Sequence, residues 1–271
     1  MQNWSLIRTV LMVFFISVVS GGPVIADDGE DILDAVCRGA NEQVIKLWFE
    51  KNADLITSGN GGKTLFTARD KEGWTPLLCA AANNDHKSAE LLIKAGAEVN
   101  VKDNLGWSPL MYATDVKYGV KMVSFLLDNG ADPNVRNNDG DTPLITAVST
   151  NIIASVKLLI EKGADIHATD AKGRSALIIA VVNGNAEIVS YLLNKGTKLE
   201  SVDQEGKTPL MWAATKGNLE IVKLLLAEGA DFTKTSKEGK TALNYAMANG
   251  HIKITTILTE KQKELEANKK P

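Results

Sequence analysis

Residues 203–231, DQEGKTPLMWAATKGNLEIVKLLLAEGAD, predict a tight turn followed by two short helices. Gly206 supplies the permissive backbone of the turn, and Thr208 before Pro209 is typical of a helix N-cap and a first helical residue. The second helix ends at Gly229, and its apolar stripe consists of Ile221, Val222, Leu224, Leu225 and Leu226. One such helix pair cannot bury its own apolar face, so the pattern predicts that the unit stacks on similar neighbours.

The same pattern recurs along the chain with a period of 33 or 34 residues. The turn glycines are Gly73, Gly106, Gly140, Gly173, Gly206 and Gly239. A second series, which ends the second helices, keeps the same period: Gly96, Gly130, Gly163, Gly196 and Gly229. The one extra residue falls in TDVKYG (residues 114–119), and we expect it in a loop between two helices. A sustained period of this length identifies a repeat protein.

The period and the pattern TPL…A…G…LL…GAD, which runs from Thr208 to Asp231, resemble those of ankyrin repeats. The resemblance implies an all-α solenoid of about seven helix-turn-helix repeats with β-turn or hairpin fingers. The chain departs from the family pattern at Ala176 and Ala242, which replace proline, and at Thr197, which replaces alanine. The usual histidine is replaced by Leu78, Met111, Ile145, Ile178, Met211 and Asn244. We expect these departures to weaken local hydrogen bonding and to leave the fold intact.

The ends of the chain differ in composition from the repeats, and the sequence predicts four segments. Residues 1–26 form a signal peptide, and residues 27–69 form a degenerate N-terminal capping repeat with a Gly-rich loop. Residues 70–259 form six ankyrin-type repeats. Residues 260–271 form a charged C-terminal tail, which suits the solvent face of a terminal repeat.

The N-terminus has the three-part pattern of a secretory signal peptide. Arg8 precedes the uncharged apolar run TVLMVFFISVV (residues 9–19), and small residues lead to Ala26. Cleavage between Ala26 and Asp27 takes the net charge from −3 to −4 and places the mature protein outside the cytoplasm, secreted or in a bacterial periplasm. The alternative is an uncleaved membrane anchor, but the run is shorter than the ~20 residues that a spanning helix needs. We therefore expect no stable membrane insertion after cleavage.

Residues that could carry catalysis are few and scattered. His86, His167 and His251 belong to different repeats, so they cannot converge on one metal or substrate. The sequence Gly62-Lys63-Thr64 resembles the end of a phosphate-binding loop, but Thr57 stands where that motif requires glycine. The small net charge argues against a nucleic-acid surface. We expect no enzymatic activity, metal or cofactor.

Two cysteines, Cys37 and Cys79, lie on the first helices of adjacent repeats, and two interpretations are open. A disulfide requires Cα atoms within ~7 Å, whereas packed helices lie ~8–10 Å apart. On that distance we favour two small, unbridged core residues.

The resemblance also implies which positions recognise partners. In ankyrin-like repeats the residue after the turn glycine and the residue two past the motif leucine face the concave groove and are dispensable for packing. The first series is Trp74, Trp107, Asp141, Arg174, Lys207 and Lys240, and the second is Cys79, Tyr112, Thr146, Ile179, Trp212 and Tyr245.

Aromatic and arginine side chains dominate interface hot spots. We therefore predict that a partner protein contacts Trp74, Trp107, Tyr112, Arg174, Lys207, Trp212, Lys240 and Tyr245. The alternative is that the aromatic rings only cover apolar surface between adjacent fingers.

The sequence therefore predicts a secreted or periplasmic, non-enzymatic protein-binding module. Two narrower roles stay open: an inhibitor or immunity protein that neutralises a toxic effector, and an accessory factor in oxidative-stress protection. The layout resembles that of bacterial ankyrin proteins with signal peptides, which suggests both roles and selects neither.

Overall fold

The computed structural model describes residues 32–39, 45–47, 50 and 68–268. The predicted signal peptide, its cleavage site after Ala26 and the Gly62-Lys63-Thr64 sequence lie outside these residues. The chain forms two compact units, residues 1–98 and 99–271.

In the first unit, the described residues include the helices α1 (Ile32–Cys37), α2 (Pro76–Ala82) and α3 (His86–Lys94). Helix α2 packs against both α1 and α3. Thr75 and Asp85 cap α2 and α3, because their side-chain oxygens accept backbone N–H groups in the first turn. The first unit therefore contains the helix-start signals that the sequence predicts.

A disulfide joins α1 to α2 between Cys37 and Cys79, whose Cα atoms are 4.9 Å apart. The expectation of two unbridged cysteines is wrong. The ~8–10 Å spacing separates helix axes, and a Cα atom lies ~2.3 Å from its axis, so facing Cα atoms approach to ~3–5 Å. Asn83 holds the same helix end, since its Nδ2 donates to the carbonyls of Val36 and Cys37 at 3.2 and 3.3 Å.

The second unit is a stack of helix pairs in two layers. The first helix of each pair packs against the first helices of adjacent pairs and against its own second helix. The first helices are α4 (Pro109–Asp115), α6 (Pro143–Ser149), α8 (Ala176–Asn183), α10 (Pro209–Lys216) and α12 (Ala242–Ala248). The second helices are α5 (Val120–Asp128), α7 (Ile153–Glu161), α9 (Ala186–Asn194), α11 (Leu219–Ala227) and α13 (Ile252–Ala267). The prediction of stacked helix-turn-helix repeats is confirmed.

The departures from the family pattern have different consequences at different positions. Where alanine replaces proline, Ser175 and Thr241 still cap their helices, so the expected loss of hydrogen bonding is wrong there. At Thr197 the backbone N–H still donates to the Leu192 carbonyl at 3.2 Å, whereas the added hydroxyl oxygen is buried with no hydrogen-bond partner among the described residues. The apolar replacements of histidine are buried core residues: Leu78, Met111, Ile145, Ile178 and Met211.

The finger turns of the second unit are joined in a ladder. The backbone N–H of Asn138 donates to the Leu105 carbonyl at 3.0 Å, and the N–H groups of Ala171, Gln204 and Lys237 repeat this bond one finger further each time. Gly106 has φ +79°, and a Cβ atom there would lie 2.9 Å from the Asn138 nitrogen. The turn glycine is therefore required both by its own backbone and by the approach of the next finger.

Two local features depart from the regular repeat pattern. The extra residue is in the loop Val116–Gly119 between α4 and α5, as predicted. A Cβ atom at Gly119 would lie 2.1 Å from the Ala113 carbonyl oxygen, so only glycine fits this longer loop. At the other end, α13 continues to Ala267 and includes residues that the sequence assigned to the charged tail.

Candidate protein-binding groove

One buried polar residue at the start of each finger turn organises the candidate site. In the second unit these residues are Asp103, Asn137, Asp170, Asp203 and Ser236, and all are buried. In Asp103, for example, Oδ1 accepts the backbone N–H groups of Leu105 and Trp107 at 2.9 and 2.8 Å. The second oxygen, Oδ2, remains available for a side chain of the following helix. The finger and the helix are thereby held together.

We use the term groove face for the surface that the two predicted series form in the second unit. It comprises Trp107, Tyr112, Asp141, Thr146, Arg174, Ile179, Lys207, Trp212, Lys240 and Tyr245. In three repeats a hydrogen bond to the buried turn residue connects the finger side of this surface to the helix side.

At the N-terminal end of the groove face, Trp107 and Tyr112 form a tilted aromatic pair. Their ring centroids are 5.2 Å apart with an interplanar angle of 40°. The Tyr112 hydroxyl donates to Asp103 Oδ2 at 2.5 Å, and the Tyr112 side chain is buried. Trp107 is half-buried and presents the accessible part of the pair.

At the C-terminal end, Lys207 lies between two aromatic rings. Its Nζ is 4.7 Å from the Trp212 ring centroid and 5.1 Å from that of Tyr245, within cation–π range. Trp212 Nε1 donates to Asp203 Oδ2 at 2.8 Å, and the Tyr245 hydroxyl donates to Ser236 Oγ at 3.0 Å. This cluster therefore joins two neighbouring repeats.

Lys207 remains a cation in this environment. Burial acts to lower the pKa of Lys207, but its hydrogen bond to Glu205 at 2.6 Å and nearby negative groups outweigh that effect and raise the pKa above its ordinary value. Its side chain is only 13% exposed, whereas that of Lys240, the corresponding lysine of the next repeat, is 51% exposed. Lys207 is thus part of the packing, and Lys240 is accessible.

The centre of the groove face carries charged rather than aromatic side chains. Arg174 contacts Asp170 Oδ2 through both Nε and Nη2 at 2.7 Å, which fixes the guanidinium over its own turn. The preceding repeat has Asp141 at the equivalent position, followed by Thr146 on its helix.

Trp74 belongs to the first unit. Its backbone N–H donates to Asp70 Oδ1 at 2.7 Å, so its turn has the same local design, and its side chain is half-buried.

The expectation that the second series is dispensable for packing is wrong. Five of its six members, all except Trp212, are buried. Tyr112 and Tyr245 are held by hydrogen bonds to Asp103 and Ser236, the turn residues nine positions earlier, and Cys79 is bound in the disulfide. The sequence contains a signal for this arrangement, since a polar residue recurs three positions before each turn glycine.

Other candidate sites lie away from the groove face or were not found. Two open depressions of about 730 and 470 Å³ lie near the C-terminal helix, lined in part by Phe232 and Leu265 and by Met247 and Ile252. Within the described part of the chain, no group of three His, Cys, Asp or Glu side chains is placed to hold a metal ion. Nor does any described helix combine the length and apolar character needed to cross a membrane.

Comparison with known proteins identifies the family. A family model described as "Ankyrin repeats (3 copies)" matches residues 32–137, 115–203, 154–236 and 196–270. Fibronectin type 3 and ankyrin repeat domains 1 protein of Mus musculus is 55% identical over 42 residues, 15% of this chain and 12% of that protein. Ankyrin repeat domain-containing protein 13C-B of Xenopus laevis is 39% identical over 88 residues, 32% of this chain and 16% of that protein. The matches thus span less than a fifth of either relative. Since the family model covers most of the chain, the protein belongs to the ankyrin-repeat family, whose members generally mediate protein–protein interaction and are typically non-enzymatic.

Proposed function

We propose that this protein is a non-enzymatic binding module that recognises a protein partner through the groove face of its second unit and the adjoining finger turns. The observation that carries the proposal is the Lys207–Trp212–Tyr245 cluster. The polar atoms of Trp212 and Tyr245 are fixed by buried Asp203 and Ser236, so the accessible part of Trp212 is held in one orientation. A surface held in this way loses little side-chain freedom on binding, which favours affinity.

The predicted contact residues of the second unit differ in exposure, and we propose two different roles for them. Trp107, Arg174, Trp212 and Lys240 keep accessible surface and are proposed to contact the partner directly. Tyr112, Tyr245 and Lys207 are largely covered, and we propose that they position their neighbours. Aromatic and arginine side chains at the accessible positions suit a protein interface.

We further propose that the mature protein acts outside the cytoplasm, in a periplasm or secreted. The N-terminal sequence up to Ala26 has the signal-peptide pattern, and the Cys37–Cys79 disulfide is typical of an oxidising compartment. The two observations are independent, because one comes from the leader and the other from the repeats.

Site-specific photo-crosslinking tests the binding proposal in the intact protein. A photoreactive phenylalanine derivative is placed at Trp107 or Lys240 on the groove face, and at Lys223 on the outer helix α11 as a matched exposed control. We expect discrete protein adducts from both groove positions and none of the same mass from Lys223. Adducts that form equally from Lys223, or that are absent at both groove positions, would contradict the proposal.

The same adducts help to decide between the two narrower roles. Mass spectrometry of the crosslinked partner distinguishes a toxic effector from a component of oxidative-stress protection. A purified partner enzyme whose activity falls on stoichiometric addition of this protein would identify an inhibitor.

The localisation proposal has its own measurement. The intact mass of protein isolated without reductant is expected to correspond to a chain that begins at Asp27 and carries no alkylated cysteine. A mature chain that retains residues 1–26, or that alkylates at Cys37 and Cys79 before reduction, contradicts it.

A further inference from the structure

The last repeat leaves one side of its first helix uncovered. Helices α6, α8 and α10 each pack between two other first helices, whereas α12 packs against α10 and its own second helix, α13. The sixth residue of the first helix is 59% exposed in the last repeat, where it is Met247. In the four preceding repeats of the second unit the equivalent residue is fully buried: Thr114, Val148, Val181 and Ala214. Met247 therefore occupies a position that a following repeat covers elsewhere in the stack.

Two further positions of the last repeat show the same change. Ile252, the first residue of α13, is 78% exposed, whereas its equivalents are half-buried: Val120, Ile153, Ala186 and Leu219. Asn244 is exposed at the position that holds a buried apolar residue in the other repeats. Its Oδ1 accepts the backbone N–H and the hydroxyl of Thr241 at 2.9 and 3.0 Å, so the polar group serves the helix cap. The end of the stack thus combines one polar replacement with apolar side chains that stay exposed.

These apolar side chains border a depression of about 470 Å³. It is lined by Met247, Gly250 and one face of α13, whose lining residues are three or four positions apart and so form a single stripe. We use the term end face for Met247 and this stripe, which consists of Ile252, Thr255, Thr256, Thr259, Glu260 and Lys263. The short threonine side chains in its middle allow another helix to approach closely.

The end face carries one charge of each sign. Glu260 and Lys263 are both exposed, and neither forms an ion pair within the part of the chain that the structure describes. When two copies of a protein meet around a two-fold axis, the same surface is used on both, so a surface with a net charge repels its copy. The opposite charges of Glu260 and Lys263 make the end face compatible with a second end face.

We propose that the end face is an interface between two copies of this chain related by a two-fold axis. Burial of Met247 and Ile252 drives the association, as burial of the equivalent positions does between adjacent repeats. A two-fold pairing covers both end faces at once and therefore closes at the dimer. This inference goes beyond the proposed function, because the end face contains no residue of the groove face.

Sedimentation velocity of the full-length mature protein, with its disulfide intact, tests the dimer. Weak dimers form at micromolar concentration, so we expect the wild type to shift from monomer to dimer between about 1 and 200 μM. Met247→Lys and Ile252→Lys are expected to stay monomeric, because the interface would bury an unpaired charge. The matched control is Leu105→Lys, which changes an apolar side chain that is 54% exposed away from the end face, and it should dimerise like the wild type.

Charge variants identify what covers the end face. Glu260→Lys leaves two lysines on the stripe and Lys263→Glu leaves two glutamates, so each variant alone is expected to self-associate about tenfold more weakly than the wild type. An equimolar mixture of the two variants should associate at least as tightly as the wild type, because the two faces now attract each other. The double variant Glu260→Lys/Lys263→Glu should recover self-association, since it again carries one charge of each sign.

The outcomes separate the dimer from the groove proposal. A wild type that stays monomeric at the highest concentration overturns the dimer, including the case in which the end face binds a different protein. Equal weakening by Ile252→Lys and Leu105→Lys, or a mixture no tighter than its single variants, also overturns it. Because the substituted side chains are exposed, we expect wild-type melting temperatures; if Ile252→Lys unfolds, the mixture of charge variants decides. Crosslinking from Trp107 and Lys240 tests the groove face independently of all these results.

Discussion

The repeats that begin at Asp203 and Asn137 share one turn geometry and differ in how completely their buried polar atoms are paired. Both turn residues accept two backbone N–H groups through Oδ1. Asp203 also accepts the Trp212 indole N–H, whereas the second atom of Asn137 has no partner among the residues that the structure describes. The turn therefore needs only one side-chain oxygen, and the second atom of the turn residue is bound to a helix side chain in one repeat and not in the other.

The largest expected loss of stability comes from giving the repeat at Asp203 the asparagine that the repeat at Asn137 has. Asp203→Asn keeps the Oδ1 bonds but places an amide N–H group opposite the Trp212 Nε1–H donor. Two buried donors that face each other are expected to cost about 2–3 kcal/mol of unfolding free energy. Urea denaturation followed by circular dichroism measures the loss, and a change below about 0.5 kcal/mol would show that the Oδ2 bond does not stabilise the repeat.

A smaller effect is expected when the partner of the turn residue is removed instead. Tyr112→Phe deletes the hydroxyl that donates to Asp103 Oδ2 and leaves a buried carboxylate oxygen unpaired, at a cost of about 1–2 kcal/mol. Tyr245→Phe is the matched change at the other end, where the remaining Ser236 hydroxyl can rotate, so a loss of about 0.5–1 kcal/mol is expected. Equal losses in the two variants would indicate that the charge of Asp103 has no part in the difference.

The two lysines at the C-terminal end provide a third test. Lys207→Met removes a cation held between two rings and is expected to lower the unfolding free energy by about 1 kcal/mol. Lys240→Met alters a side chain that is half exposed, and its unfolding midpoint should match the wild type. If both variants lose the same stability, the buried position of Lys207 is not what makes the cation stabilising.

The comparison also shows how much of the molecule the sequence could predict. The helix pairs, the Ser or Thr caps and the turn glycines follow from local residue types at a fixed period, because each depends on backbone geometry within a few positions. Thr208 and Gly206 therefore have the structural roles that the sequence predicted. The Cys37–Cys79 disulfide does not follow from the distance between helix axes, because a bridge depends on the Cα distance, which is shorter where two helices face each other.

The sequence predicts the positions of the candidate site but does not divide them into buried and exposed side chains. Tyr112 and Trp212 occupy the same repeat position, yet one is buried and the other keeps exposed surface. That difference depends on the neighbouring side chains, such as Trp107 beside Tyr112 and Lys207 beside Trp212, rather than on the position itself. Asn137 Nδ2 likewise has no partner among the described residues, while Thr146, nine positions later, donates to a carbonyl of its own helix, and the repeat pattern does not encode that choice.

The smallest expected effect is a gain in stability, and it concerns the repeat that begins at Asn137. Because the pKa of Asp141 is raised in the folded protein, its ionisation opposes folding, so Asp141→Asn is expected to raise the melting temperature at neutral pH, on the order of 1–3 °C. The sign follows from linkage: protonated Asp141 contributes stability that is fully present below its ordinary pKa of 3.8 and is lost as the pH rises through the raised value. The difference between variant and wild type should therefore vanish in acid and grow toward neutral pH, as calorimetric melts across this range can measure. Asp139→Asn, at an exposed position of the same turn, should show no comparable pH-dependent gain. A loss of stability in Asp141→Asn at neutral pH would mean that the Asp141 carboxylate is already paired within the fold. The polar groups of the repeats at Asn137 and Asp203 would then be equally well paired.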